Sequence, residues 1–170
     1  MKIFSFEPVG FEGQLVTVEV DIRRGIPALD IVGLPDGAVR EAGARVRSAI
    51  RNSGFDYSMD RILVNLAPAG LPKAGAAFDL SIAISILVAS AQLPLPREDI
   101  LALGELELSG AVREVTGVMP AVAEGLKAGI RRFIVPRANL SEAKVLVGND
   151  AVAIDDLSSL TGLLAMSGDS

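Results

Sequence analysis

The run LSIAISILVASAQLPLP, starting at Leu80, limits the fold more than any other stretch of this chain. It is apolar around its whole circumference, holds three serines and ends in prolines. It is too interrupted for a membrane span and reads as a helix over about 77–91 buried on every side. Burying such a helix takes a layered domain. The 170 residues suffice for one such domain with a real core. Half the chain is apolar, but with one Tyr, no Trp and six Phe, so aliphatic residues and Ala must do the packing. That is the composition of an α/β protein with Val/Ile strands and Ala-rich helices.

The pattern along the chain agrees. GQLVTVEVDI (13–22) alternates Val16, Val18, Val20 and Ile22 with polar residues and reads as a strand, with KIFSFEPV as its hairpin partner through GFEG. ALDIVGL (28–34) is a third strand, ended by the turn signal PDG. A helix follows from Asp36 as N-cap to Ser53, stopped by Gly54, with Val39, Ala42, Val46, Ala49 and Ile50 as its buried face. RILVNLAP (61–68) reads as a central strand. Residues 100–115 form a strand pair turning at Ser109–Gly110, 117–130 a helix closed by Gly129, and 131–136 a strand. NLSEAKVL has a capping-box look, started by Asn139 or Ser141 with Glu142 in its first turn. A short strand and a terminal helix complete a mixed α/β (α+β) domain, antiparallel strands first and βα units after.

The chain holds neither Cys nor His, which removes disulfides, thiolate metal sites and every histidine-dependent mechanism. No phosphate-cradling GxxxxGK[ST] loop and no GxGxxG after a strand is present. Ser–Lys arrangements and carboxylate pairs remain as the chemical candidates. A net charge of −5 argues against nucleic-acid binding by the whole surface but permits a local basic stripe. The N-terminus is too short and charged for a signal peptide, so the expectation is a cytoplasmic domain with no membrane partner.

Such a stripe exists. Arg40, Arg47 and Arg51 fall within about 40° of one another on the wheel of the 36–53 helix, while Arg45 points elsewhere. They suit phosphates or the acidic edge of another subunit; a solvated face, with Glu41 pairing Arg45, is the competing reading. Asp79, in the first turn of the apolar helix, reads as a dipole or capping residue. LPKAGAAF (71–78), with Lys73 and Gly75, reads either as a close-packed loop or as a binding loop. Glu105 and Glu107 share a strand face with Glu114 beyond the turn, which fits a solvated face better than a Mg²⁺ site. Met119, at helical spacing with Val122, reads as core.

Three stretches in order, GLPDGAVREAGARVRSAIRNSGF (33–55), ILVNLAPAGLPKAGAAFDLSIAISIL (62–87) and LALGELELSGAVREVTGVMPAVAEGLKAGI (101–130), followed by IVPRANLSEAKVL, resemble the N-terminal domain of the Mg-chelatase-like AAA+ ATPases called YifB or ComM. The resemblance implies a Lon protease catalytic-domain-like, ribosomal protein S5 domain 2-like fold over 1–165, with 166–170 a tail leading to an ATPase module. Lon-type peptidases carry P-K-D-G-P-S-A-G; Pro72, Lys73 and Gly75 match it, and Ala77 stands where the nucleophilic serine belongs. Their second motif, in register at Gly104, Glu105, Leu108 and Gly110, places the dyad lysine at Met119. A Ser–Lys dyad needs a hydroxyl and a neutral amine, and these positions provide neither.

The resemblance therefore implies a non-catalytic accessory domain, with vestigial positions Ala77 and Met119 and no cofactor or metal of its own. ATP and Mg²⁺ belong to the absent ATPase module. The implied partners are that module, neighbouring subunits of a homo-hexamer, and DNA, during branch migration. Two alternatives stay open. One is an active peptidase using another nucleophile, with Ser81, one turn past Ala77, as candidate. The other is a standalone interaction module related to the Lon-like domain of RadA/Sms proteins.

Overall fold

A computed structural model describes residues 2–57 and 60–167. Its strands are β1 (Ile3–Val9), β2 (Glu12–Arg23), β3 (Ala28–Val32), β4 (Arg61–Ala67), β5 (Ile100–Ala102), β6 (Glu105–Leu106), β7 (Val112–Arg113), β8 (Phe133–Pro136) and β9 (Ala151–Ile154). Its helices are α1 (Gly37–Asn52), α2 (Asp79–Ala89), α3 (Val118–Lys127), α4 (Leu140–Val147) and α5 (Leu160–Ser167). Seven strands form one mixed sheet in the order β3-β4-β2-β1-β5-β8-β9, and β6 pairs β7 in a separate hairpin. β2 runs antiparallel to both β1 and β4, whereas β3–β4, β1–β5, β5–β8 and β8–β9 are parallel. The expected mixed α/β class is what the chain adopts. β4 is not central, however: it sits beside the edge strand β3.

Strand periodicity sorts side chains into two cores. Val16, Val18, Ile62, Val64, Leu66, Ile100 and Ile134 point to the layer of α1 and α2, and Phe6, Leu101, Phe133 and Val135 to that of α3. β5 and β8 are covered on both faces and are apolar at every position, as parallel strands inside a sheet require. β4 alternates buried and outward-facing residues because helices cover one of its faces. α2 is buried from Asp79 through Leu87, which confirms the all-round burial that its composition demands. None of the described helices is long and apolar enough to cross a membrane.

Local chemistry explains the helix bounds. Asp36 Oδ1 accepts the Val39 N–H at 2.8 Å and starts α1. Gly54, at φ +87°, lets the chain turn away just past its end. Asn139 is the N-cap residue of α4 and Glu142 lies in its first turn, as expected, but the side-chain cap bond of a capping box is not made. Asn139 is buried and its amide bonds both the N–H and the carbonyl of Val115, so the side chain is committed to tertiary packing. Glu142 instead accepts from the Asn139 amide at 2.6 Å. α5 runs through the expected tail boundary to Ser167; residues 168–170 lie outside the described part.

Candidate functional sites: an alanine cleft and an arginine groove

The LPKAGAAF loop is anchored from several directions. Lys73 N–H donates to Leu34 O, and its own carbonyl accepts the Asp36 N–H, tying the loop to the turn before α1. The Lys73 side chain is fully buried; its ammonium donates to Gly33 O at 2.7 Å and to Pro68 O. Burial lowers its pKa, against the opposing pull of Glu7. Gly33 can serve here because it sits at φ +108° against β4, where a Cβ would lie 2.1 Å from Leu66 O. Gly75 N–H reaches Asp36 Oδ2 at 3.3 Å, and Ala74 N–H donates to Glu7 Oε1 at 2.5 Å. Glu7 is itself buried, and desolvation raises its pKa.

Asp79 does more than meet a helix dipole. Its carboxylate, with no solvent exposure, accepts from Arg45 Nε at 2.7 Å and Nη2 at 2.9 Å, and from Leu106 N–H at 3.0 Å. Burial holds its pKa above the usual carboxylate range even beside Arg45, while the hydrogen bond to Asp79 raises that of Arg45. This bidentate pair joins α1, α2 and the β6–β7 hairpin. Sequence reading missed it because the partners lie 34 residues apart. A lone carboxylate in an apolar helix was the available signal, since a buried charge needs a cation. The expected Glu41–Arg45 contact is also present, at 3.8 Å.

Beyond the loop lies a cleft of about 210 Å³. Ala77 lines it together with Phe6, Gly75, Glu105, Glu114 and Thr116. Gly104 N–H donates to Ala77 O and Leu80 N–H to Gly104 O, so the two Lon-like motifs meet through their backbones. Met119 does not line the cleft. It is 36% exposed, not core, because α3 buries Val118, Ala121, Val122 and Gly125, a face from which position 119 is turned away. Ser81 is fully buried and its hydroxyl donates to Phe78 O at 2.9 Å, so it faces the core, not the cleft. Glu107 approaches Arg113, the cross-strand partner of Glu105, at 3.8 Å. Among the described residues no group of three metal-ligating side chains could hold an ion.

The second concavity, about 310 Å³, lies between α1 and the start of β3. Arg40, Arg47 and Arg51 all line it, as does Tyr57. The Arg51 guanidinium lies over the Tyr57 ring, 5.4 Å from its centroid, a cation–π contact. Arg40 Nη1 donates to Pro35 O at 3.1 Å. Among the described residues none of the three pairs with a carboxylate, whereas Arg23, Arg45, Arg61, Arg113 and Arg137 all do. Tyr57 was not singled out in the sequence, since nothing there signals that the segment after α1 returns to the arginine face.

Comparison with known proteins ties this geometry to a lineage. The family model for subunit ChlI of Mg-chelatase matches residues 18–139, more than half the chain. YifB of Escherichia coli K12 is 44% identical over 157 residues, covering 92% of this chain and 31% of that protein. The competence protein ComM of Haemophilus influenzae is 44% identical over 145 residues, 85% of this chain and 28% of ComM. Lon protease 1 of Myxococcus xanthus is 27% identical over 139 residues, 78% of this chain and 17% of the protease. The chain thus spans about a third of the length of YifB or ComM. It belongs to the Mg-chelatase ChlI family, together with YifB and ComM.

Proposed function

We propose that this chain is a non-catalytic N-terminal accessory domain of a cytoplasmic Mg-chelatase-like AAA+ ATPase of the ComM/YifB type. The observation that carries the non-catalytic half is the cleft lining, where Ala77 supplies no nucleophile and no side-chain amine is present. Acyl transfer by a Ser–Lys dyad needs both groups within hydrogen-bond reach. Ser81 offers no way back, because its hydroxyl is buried and directed at a backbone carbonyl. Incubation with unfolded casein and a fluorophosphonate probe tests this half: the expected result is neither cleavage nor label, and a labelled serine overturns it.

In this reading the ATPase module, which holds ATP and Mg²⁺, lies outside the chain, and the whole protein works as a homo-hexameric ring on DNA. The arginine groove is the contact surface, because its three cations line one concavity with no carboxylate among their described partners. Replacing Arg40, Arg47 and Arg51 together by Ala in the full-length ring should lower DNA affinity and flatten its salt dependence. Unchanged affinity with an unchanged salt slope removes DNA contact from this surface. If ring assembly is lost instead, as read by light scattering, the groove serves the neighbouring subunit.

A further inference from the structure

We propose that the arginine groove takes a single polynucleotide strand rather than a duplex, with phosphates on Arg40 and Arg47 and a base stacked on the outer face of the Arg51 guanidinium. This rests on the reading that the groove contacts nucleic acid, and specifies the form it binds. The first ground is spacing. At about 1.5 Å per residue, Arg40 and Arg47 are separated by about 10.5 Å along α1, and Arg47 and Arg51 by about 6 Å. One straight row of cations follows one backbone running along the helix. It does not match the two backbones that flank a duplex groove.

The second ground is relief. A duplex-reading helix stands far enough out to enter a major groove about 12 Å wide. α1 is recessed on this side. A Cβ at Gly43 would meet Leu29 Cδ2 at 2.9 Å, so the helix face is pressed onto β3, and Pro27 and Ala28 continue the opposite wall. A groove walled on one side by β3 suits one strand better than a duplex. The third ground is the cation–π contact at one end. Tyr57 supports the Arg51 guanidinium from below, which leaves the other guanidinium face for a base, and any base offers a π-face. With a base on Arg51, that guanidinium is taken from the phosphates. Phosphates therefore register toward Arg40 and Arg47. With a net charge of −5, little affinity comes from elsewhere on the chain.

Fluorescence anisotropy of the purified chain with labelled oligothymidylate, oligodeoxyadenylate and a blunt duplex of equal length, over a salt series, tests the inference. Both single strands should bind at least ~10-fold tighter than the duplex, with a log–log salt slope of about −1.4 for two neutralised phosphates. Arg47→Glu should weaken single-strand binding more than ~10-fold. Arg51→Lys keeps the charge but loses the planar surface, and should weaken it about 5-fold. Replacing Arg131 and Arg132, which lie between α3 and β8 and do not line the groove, by Ala should change nothing. Duplex binding equal to or tighter than single-strand binding overturns the strand inference and leaves the contact reading intact. Absence of binding to either form, or single-strand binding unmoved by Arg47→Glu, overturns both. An Arg51→Lys variant that binds like the parent overturns the stacking role.

Discussion

The alanine cleft and the arginine groove differ in what their charged groups already hold. Behind the cleft the charges that anchor its loop and α2 are engaged inside the fold. Lys73 donates to two carbonyls, Glu7 accepts from Ala74, Asp36 caps α1 and reaches Gly75, and Asp79 takes Arg45 and Leu106. In the groove three arginines converge with no carboxylate among their described partners. The Lon-like motif is thus built as a joint between β1, α1, α2 and the β6–β7 hairpin. Internally satisfied charge marks scaffold; convergent, exposed and unpaired charge marks the place for something external.

The largest expected effect lies in the joint. Asp79→Ala leaves Arg45, only 20% exposed, without its carboxylate and Leu106 N–H without its acceptor, which should cost about 3–5 kcal/mol in urea unfolding. A loss below about 1 kcal/mol would break the contrast, since the pair would then be ornamental. Arg45→Ala sharpens it through pH. The folded pKa of Asp79 is already raised by burial, and losing the guanidinium raises it further. A raised folded pKa means the folded state keeps its proton where the unfolded chain, at about 3.9, has lost it. Stability of Arg45→Ala should therefore fall as pH rises from about 4 through the raised value, and the variant should be closer to the parent at pH 5 than at pH 8. A penalty independent of pH excludes an uncompensated Asp79 charge as its cause.

The groove should behave in the opposite way. Replacing Arg40, Arg47 and Arg51 by Ala touches exposed side chains, so each should shift stability by no more than about 0.5 kcal/mol while strand binding is lost. A triple variant that unfolds would return these residues to the scaffold class.

How legible each region was in the sequence follows from the range of its interactions. α1 was readable to within a residue because Asp36, the Val39–Ile50 face and Gly54 act locally. The all-round burial of α2 was readable because an apolar surface leaves no choice. The strand order, with β4 next to the edge and β1 at the centre, was not, since pairing depends on contacts far apart in the chain. The burial of Met119 and the use of the Asn139 side chain, though not its place at the start of α4, differ from expectation for related reasons. An apolar residue at the margin of a helical stripe can turn to either side, and an asparagine before a helix can cap it or serve another segment. Arg40, Arg47 and Arg51 were placed on one face by periodicity alone, but the opposite wall and Tyr57 came only from the fold.

The smallest effect, and the most direct probe of the cleft, is Ala77→Ser. Ala77 is half-buried, and its carbonyl is held by the Gly104 N–H, so a hydroxyl at its Cβ replaces one hydrogen in an already formed cleft and should shift stability by no more than about 0.5 kcal/mol. It should not react with a fluorophosphonate, because a serine hydroxyl without a nearby base is a weak nucleophile. Adding Met119→Lys should not rescue it. That position is exposed and absent from the cleft lining, so the new ammonium is solvated and stays protonated. The double variant consequently separates two histories of this scaffold. Inertness means that the cleft lost the placement of its base along with the residue. A covalent adduct on the introduced hydroxyl would mean that α3 still brings position 119 to the cleft in solution, and that two substitutions alone stand between this domain and a peptidase.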